Sequence, residues 1–281
     1  MIHASPSGIS LALGGGAARG LAHLGVLEIF EREEIPVACI AGTSMGGLLG
    51  AIWASGRSAP ELIEEVGRKA KWKQVVRLLD LDLSLSGLMG GRRLEGYLDD
   101  LLVDAKTFRD LRVPLALTAI DMRTGTLVTL REGRLLDAMR ATMSVPGVFS
   151  PVELNGMRLI DGGLLSNVPA KIARSLGGCC VVAVDVMPSF AQNEPGRPPV
   201  VPPLELGRYP AVVAAIVRAE HVMISALTEA ELSAANPEVI VRPAIHASIS
   251  AMTGFTRVHE LIECGRNAAE DALPEIRRHL A

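Results

Sequence analysis

Val37-Ala38-Cys39-Ile40-Ala41-Gly42-Thr43-Ser44-Met45-Gly46-Gly47 is the stretch whose reading decides the fold. An apolar run ends at Gly42, a glycine-flanked serine follows, and Leu48, Leu49, Ala51, Ile52, Trp53 and Ala54 continue as helix formers. G-x-S-x-G between a strand and a helix predicts a sharp, strained turn that only small neighbours permit, with Gly42 and Gly46 making room for Ser44. Such a turn lifts the hydroxyl above the strand end and aims a helix N-terminus at it, where developing negative charge is favoured. A serine in this place also serves as a plain helix cap, so the rest of the chain has to decide between the two.

Upstream, Ile9–Leu13 reads as a strand that runs into Gly14-Gly15-Gly16-Ala17-Ala18-Arg19-Gly20. Leu21, Leu24, Val26, Leu27 and Phe30 then recur at helical spacing. The first 55 residues are thus β-α-β-α with glycine turns at the strand ends. That order predicts an α/β fold: a three-layer, parallel-rich sheet with helices on both faces and its site at the carboxyl ends of the strands.

Downstream the rhythm breaks. Residues 60–112 hold helical stretches (Glu61–Lys71, Leu94–Leu102) around a glycine-rich turn and read as a helical cap insertion within a single domain of residues 1–281. Strands follow at Pro114–Ile120 and Thr126–Leu130, then a helix at Leu135–Met143. Asn155-Gly156 between Pro151–Leu154 and Met157–Ile160 is a strong two-residue hairpin signal. Cys179–Val186 is a β-branched run expected to be a buried strand, and residues 187–203, with six prolines, read as a loop. A helix over Ala211–Leu232, a last strand at Val239–Arg242 and closing helices from Thr256 complete the pattern.

Composition excludes several classes. A formal net charge of −3 argues against nucleic acid as a partner, and no apolar run reaches transmembrane length. Aromatics make up only 3%, so the core must be aliphatic. Met1–Pro6 lacks a basic n-region, so no signal peptide is expected. Of the four cysteines, Cys39, Cys179 and Cys180 fall in apparent buried strands and none makes a C-x-x-C pair with metal spacing. Free thiols, a reducing cytoplasmic setting and no metal or cofactor follow as expectations.

The glycine run after the first strand gathers backbone N–H groups at a helix N-terminus, which suits a phosphate or an oxyanion. Its glycines miss the dinucleotide spacing and no G-K-[ST] follows. In a right-handed β-α-β unit this turn lies beside the one bearing Ser44, so an oxyanion hole next to a nucleophile accounts for both. The serine needs a base. Of six histidines, His246 follows the last strand, where an α/β-hydrolase keeps its triad histidine, with Asp185 as a third member. The competing base is Asp161, followed by Gly162 and Gly163, which let another chain approach closely.

Leu11–Leu27 (LALGGGAARGLAHLGVL), Ile40–Gly47 (IAGTSMGG) and Arg140–Pro169 (RATMSVPGVFSPVELNGMRLIDGGLLSNVP) together resemble the bacterial patatin-like phospholipases. The resemblance implies a lipid acyl hydrolase with a Ser–Asp dyad and no histidine. Ser44 matches the nucleophile, Asp161 the aspartate of D-G-[GA], Gly15 and Gly16 the oxyanion-hole glycines, and Arg19 the basic residue of that loop. Ala17 stands where the family usually has a further glycine. Its N–H remains, but a positive φ there would strain it. The partner implied is a lipid or acyl ester. Lys69, Lys71, Trp72, Lys73 and Arg77 in the cap suit peripheral contact with anionic lipid at the inner membrane face, and equally a solvated helix face. Two further readings stay open: a histidine-dependent esterase using Ser44, Asp185 and His246, and a non-catalytic regulatory protein on the same fold.

Overall fold

A computed structural model describes residues 7–69, 90–188, 211–246, 248–249 and 253–281. Its elements run β1 (Ile9–Leu13), α1 (Ala22–Arg32), β2 (Val37–Gly42), α2 (Ser44–Ala54), α3 (Ala59–Lys69), α4 (Gly90–Leu101), β3 (Leu115–Asp121), β4 (Thr126–Leu130), α5 (Leu135–Thr142), β5 (Val152–Leu154), β6 (Met157–Asp161), α6 (Ala170–Leu176), β7 (Val181–Val184), α7 (Ala211–Ala235), β8 (Val239–Val241) and α8 (Val258–Leu280). The expected order holds except that α6 is added between β6 and β7, and one long helix, α8, stands for the several expected from Thr256. The expected strand at 179–186 is shorter, and Cys179, outside it, is exposed. Most of the proline-rich stretch, and Lys71, Trp72, Lys73 and Arg77 of the basic cluster, lie outside the described residues.

The eight strands form one mixed sheet in the order β5-β6-β3-β2-β1-β7-β8, with β4 also on β3. From β3 to β8 the neighbours are parallel. Alternation along the strands sorts side chains by size. Ile9, Leu11, Leu13, Ile40, Leu115, Leu117, Val182 and Val184 face the large core shared with α1, α2, α5 and α8. Ala12, Ala41, Ala116 and Ala183 face the other side, where Ala170 and Ala173 of α6 and Leu232 and Ala235 of α7 close over them. Helices therefore cover both faces, and the small residues let α6 lie close to the sheet. Across the large core, α1 and α8 meet at two glycines. A Cβ on Gly25 would run into the Ile262 carbonyl, and one on Gly265 into that of Ala22. This crossing fixes α1, whose N-terminal end is the glycine loop.

One detail of the register positions the site. Gly42, the last residue of β2, pairs with Leu117 of β3, and Asp161, the last residue of β6, pairs with Ala119. β4 occupies the opposite edge of β3 from Leu117 to Asp121. β2 and β6 must therefore share the remaining edge. They run in opposite directions and end facing each other, two β3 residues apart.

Candidate active site

Ser44 opens α2 in the left-handed region, with φ +52°. The bend is possible because Gly46 packs on the carbonyls of Leu13 and Gly14, and Gly42 on the Cα of Gly47, where any Cβ would collide. The Ser44 N–H donates to the Thr142 hydroxyl at 2.9 Å, at the end of α5. The preceding residue is held as firmly. The Thr43 hydroxyl donates to the Ser166 carbonyl at 2.9 Å, so its contact with Thr118 at 2.7 Å has the Thr118 hydroxyl as donor. Ser44 itself is half-buried.

Asp161 is buried at the end of β6, with its N–H donating to the Ser144 carbonyl at 3.0 Å. Its Oδ1 accepts the Gly163 N–H at 2.8 Å, and the Ser44 side chain lies close enough to the same carboxylate to favour its ionised form. Gly162 is pressed against Thr118, with no room for a Cβ. Burial pushes the Asp161 carboxyl up to about 6, further raised by Glu220 of α7, while the Ser44 side chain and the Gly163 bond partly offset this. The carboxyl is thereby brought toward the range useful for a general base near neutrality.

The glycine loop lies against Ser44. A Cβ built on Gly15 would stand 3.3 Å from that of Ser44 and 2.7 Å from the Asn167 Oδ1. The Gly15 N–H is already engaged, donating to the Asn167 carbonyl at 3.0 Å. A 3-10 turn begins at Ala17, so the Gly16 and Ala17 amides have no acceptor within it, and among the described residues no other acceptor meets them. Both residues are half-buried, as Ser44 is. Ala17 does adopt positive φ, at +46°. That conformation costs an alanine roughly 1–2 kcal/mol.

Arg19 is buried, and its guanidinium is spent on backbone: Nε donates to the Val186 carbonyl at 2.8 Å and Nη1 to that of Ile249 at 3.0 Å. It braces the loop. The residues of the histidine-dependent reading do not gather at Ser44. His246 is exposed, with its Nδ1 on the Ser248 hydroxyl at 2.7 Å. The Asp185 carboxylate accepts the Met187 N–H at 3.1 Å and pairs with Arg242 at 3.4 Å. Asn167 was not singled out from the sequence, although it sits in the S-N-V-P that follows Asp161-Gly162-Gly163. Its carbonyl and side chain both meet Gly15, and its Oδ1 also borders Gly163, so it ties the two glycine turns together.

The family model for the patatin-like phospholipases matches residues 11–174, which is more than half of the chain and includes all three glycine turns. The chain belongs to the patatin-like phospholipase family. Patatin-like phospholipase domain-containing protein 6 of Homo sapiens is 35% identical over 182 residues, covering 63% of this chain and 13% of that protein. Neuropathy target esterase sws of Drosophila melanogaster is 32% identical over 182 residues, with the same coverage. An uncharacterised NTE family protein of Mycobacterium tuberculosis is 32% identical over 186 residues, covering 65% of this chain and 50% of that one. This patatin-like chain thus spans half of the mycobacterial relative and a small part of the animal ones. Among solved structures, VipD from Legionella pneumophila overlaps 92% of this chain and 67% of its own at 13% identity, with a TM-score of 0.45. Among the described residues no helix is long and apolar enough to cross a membrane, and no group of three or more His, Cys, Asp or Glu is arranged to hold a metal ion.

Proposed function

We propose that this chain hydrolyses carboxylic esters of lipids, with Ser44 as nucleophile and Asp161 as the base that serves it. The observation that carries the reading is the Ser44 side chain beside a buried carboxylate whose pKa is raised to about 6, next to two unengaged loop amides. Membership of a phospholipase family, and the esterase named among the relatives, support the ester class.

As Ser44 Oγ attacks the carbonyl carbon, Asp161 takes the hydroxyl proton. The carbonyl oxygen becomes an oxyanion facing the Gly16 and Ala17 amides, where each good donor contributes about 2.7–4 kcal/mol in comparable sites. Collapse breaks the ester C–O bond, and the departing alkoxide receives the proton from Asp161. Asp161 then deprotonates water, which attacks the acyl-Ser44 carbon; as the C–Oγ bond breaks and the fatty acid leaves, Ser44 Oγ takes that proton back from Asp161. The α2 N-terminus favours the negative charge in both steps. Peripheral contact of the 60–112 segment with an anionic lipid surface belongs to the same proposal, and liposome sedimentation with and without anionic lipid tests it.

A panel of esters, from p-nitrophenyl butyrate to phospholipids and lysophospholipids, run on the wild type, Ser44→Ala, Asp161→Asn and His246→Ala tests the reading. Loss in the first two variants and near-full activity in His246→Ala is expected. Wild-type rates in Asp161→Asn would refute the dyad. Absence of hydrolysis on every ester, with no fluorophosphonate labelling of Ser44, would favour the regulatory reading.

A further inference from the structure

We infer that His23 and Asn167 are positioning residues that orient the amide donors of the glycine loop, an inference that rests on the hydrolase reading above. His23 lies on α1 and is fully buried. Its Nε2 is 2.7 Å from the Gly14 carbonyl, so Nε2 carries the hydrogen and donates to it. The other ring nitrogen, Nδ1, is buried with no hydrogen-bond partner, which fits an unprotonated atom. Burial lowers the ring's pKa to about 4, so the donor stays in place and neutral through the range in which Asp161 is ionised.

Planar trans peptides give this bond a consequence one residue on. In such a unit the C=O and the following N–H point in opposite directions. In the Gly14–Gly15 unit both ends are held, the carbonyl by His23 and the N–H by the Asn167 carbonyl at 3.0 Å. In the Gly15–Gly16 unit only the carbonyl is held, by Asn167 Nδ2 at 3.4 Å. The Gly16 N–H must therefore project away from Asn167, and it directly follows Gly15, on which a Cβ would stand 3.3 Å from that of Ser44. Two side chains remote in sequence thus clamp successive peptide planes, and the open N–H of the second is what an oxyanion would meet. Neither side chain touches the reacting atoms.

His23→Phe keeps the ring and loses the donor, and His23→Gln returns a donor. With p-nitrophenyl butyrate, His23→Phe is expected to lower kcat by about 10²-fold, as for removal of one oxyanion donor, with KM within about twofold. Affinity for a trifluoromethyl ketone, whose adduct with Ser44 carries the oxyanion, should weaken by the factor lost in kcat/KM, and His23→Gln should recover most of both. A kcat near wild type in His23→Phe, or a fall in kcat without weaker ketone binding, overturns the inference. If His23→Phe does not fold, as judged by circular dichroism, Asn167→Ala decides by the same two readouts. Ser44→Ala and Asp161→Asn run alongside separate the failures: wild-type rates there refute the hydrolase reading whatever His23 does.

Discussion

The glycine turns after β1 and β2 differ in their caps and in the helices they open, but share one backbone feature. Each bends a residue other than glycine into the left-handed region, Ala17 at φ +46° and Ser44 at +52°. They differ in what that residue supplies. At Ser44 the side chain is what the proposed reaction uses, since the strained turn sets its hydroxyl beside Asp161. At Ala17 only the N–H is of use, and nothing in the structure explains the methyl. On the proposed reaction, the same strain is tied to chemistry in one turn and is dispensable in the other.

Substitutions can break that comparison. Ser44→Ala keeps the strained backbone and loses the nucleophile, and ester hydrolysis should fall by at least about 10³-fold with little change in melting temperature. Ser44→Gly should be as inactive yet more stable by roughly 1 kcal/mol, read by chemical denaturation, because the left-handed strain is relieved.

Asp161→Asn is expected to lose activity by a similar factor while gaining stability. In the wild type the folded carboxyl binds its proton up to about pH 6, against 3.8 for the ordinary group. The folded state therefore holds more protons across this window, and stability falls as pH rises through it. The resulting cost levels off above pH 6 at up to roughly 3 kcal/mol. Asparagine removes that cost, so the gain should be largest at pH 8 and about half as large at pH 5. The same carboxyl predicts a kcat/KM that falls about tenfold per pH unit below 6 and is level above it. A profile with its midpoint near 4 would contradict the buried base.

The smallest effect is the sharpest for the comparison. Ala17→Gly should raise stability by about 1 kcal/mol, as Ser44→Gly does, but leave kcat/KM within about threefold, since the amide remains. A large loss of rate would show that the alanine methyl shapes the loop.

Much of this was legible in the chain itself. Alternation and glycine punctuation located β1, β2, the Asn155-Gly156 hairpin and the long C-terminal helices, because those signals are local. The short α6 was not, since Ala170–Leu176 has too few residues for a helical period to stand out. Ser44 and Asp161 stand out by their motifs, but whether they meet depends on which edge of β3 each strand takes, a non-local choice that no spacing encodes. The family resemblance matches Gly15 to an oxyanion-hole glycine. That its amide is spent on Asn167 follows from a contact 152 residues away in the chain. His23 read as one more residue on an apolar helix, because the atom it serves is a backbone carbonyl.

The shared edge of β3 also says where this molecule tolerates change. Because β2 and β6 hang from Leu117 and Ala119 of one strand, the gap between alcohol and acid is set by β3 itself and not by any loop. Extra residues at Arg123–Gly125 or Asn155–Gly156 fall at hairpin tips and leave that gap alone. One residue inserted at Thr118 would push the two strand ends apart by about 3.3 Å, the rise of a single strand position, and turn their partners to opposite faces. The tips are thus free to lengthen, while the middle of β3 has to keep its count.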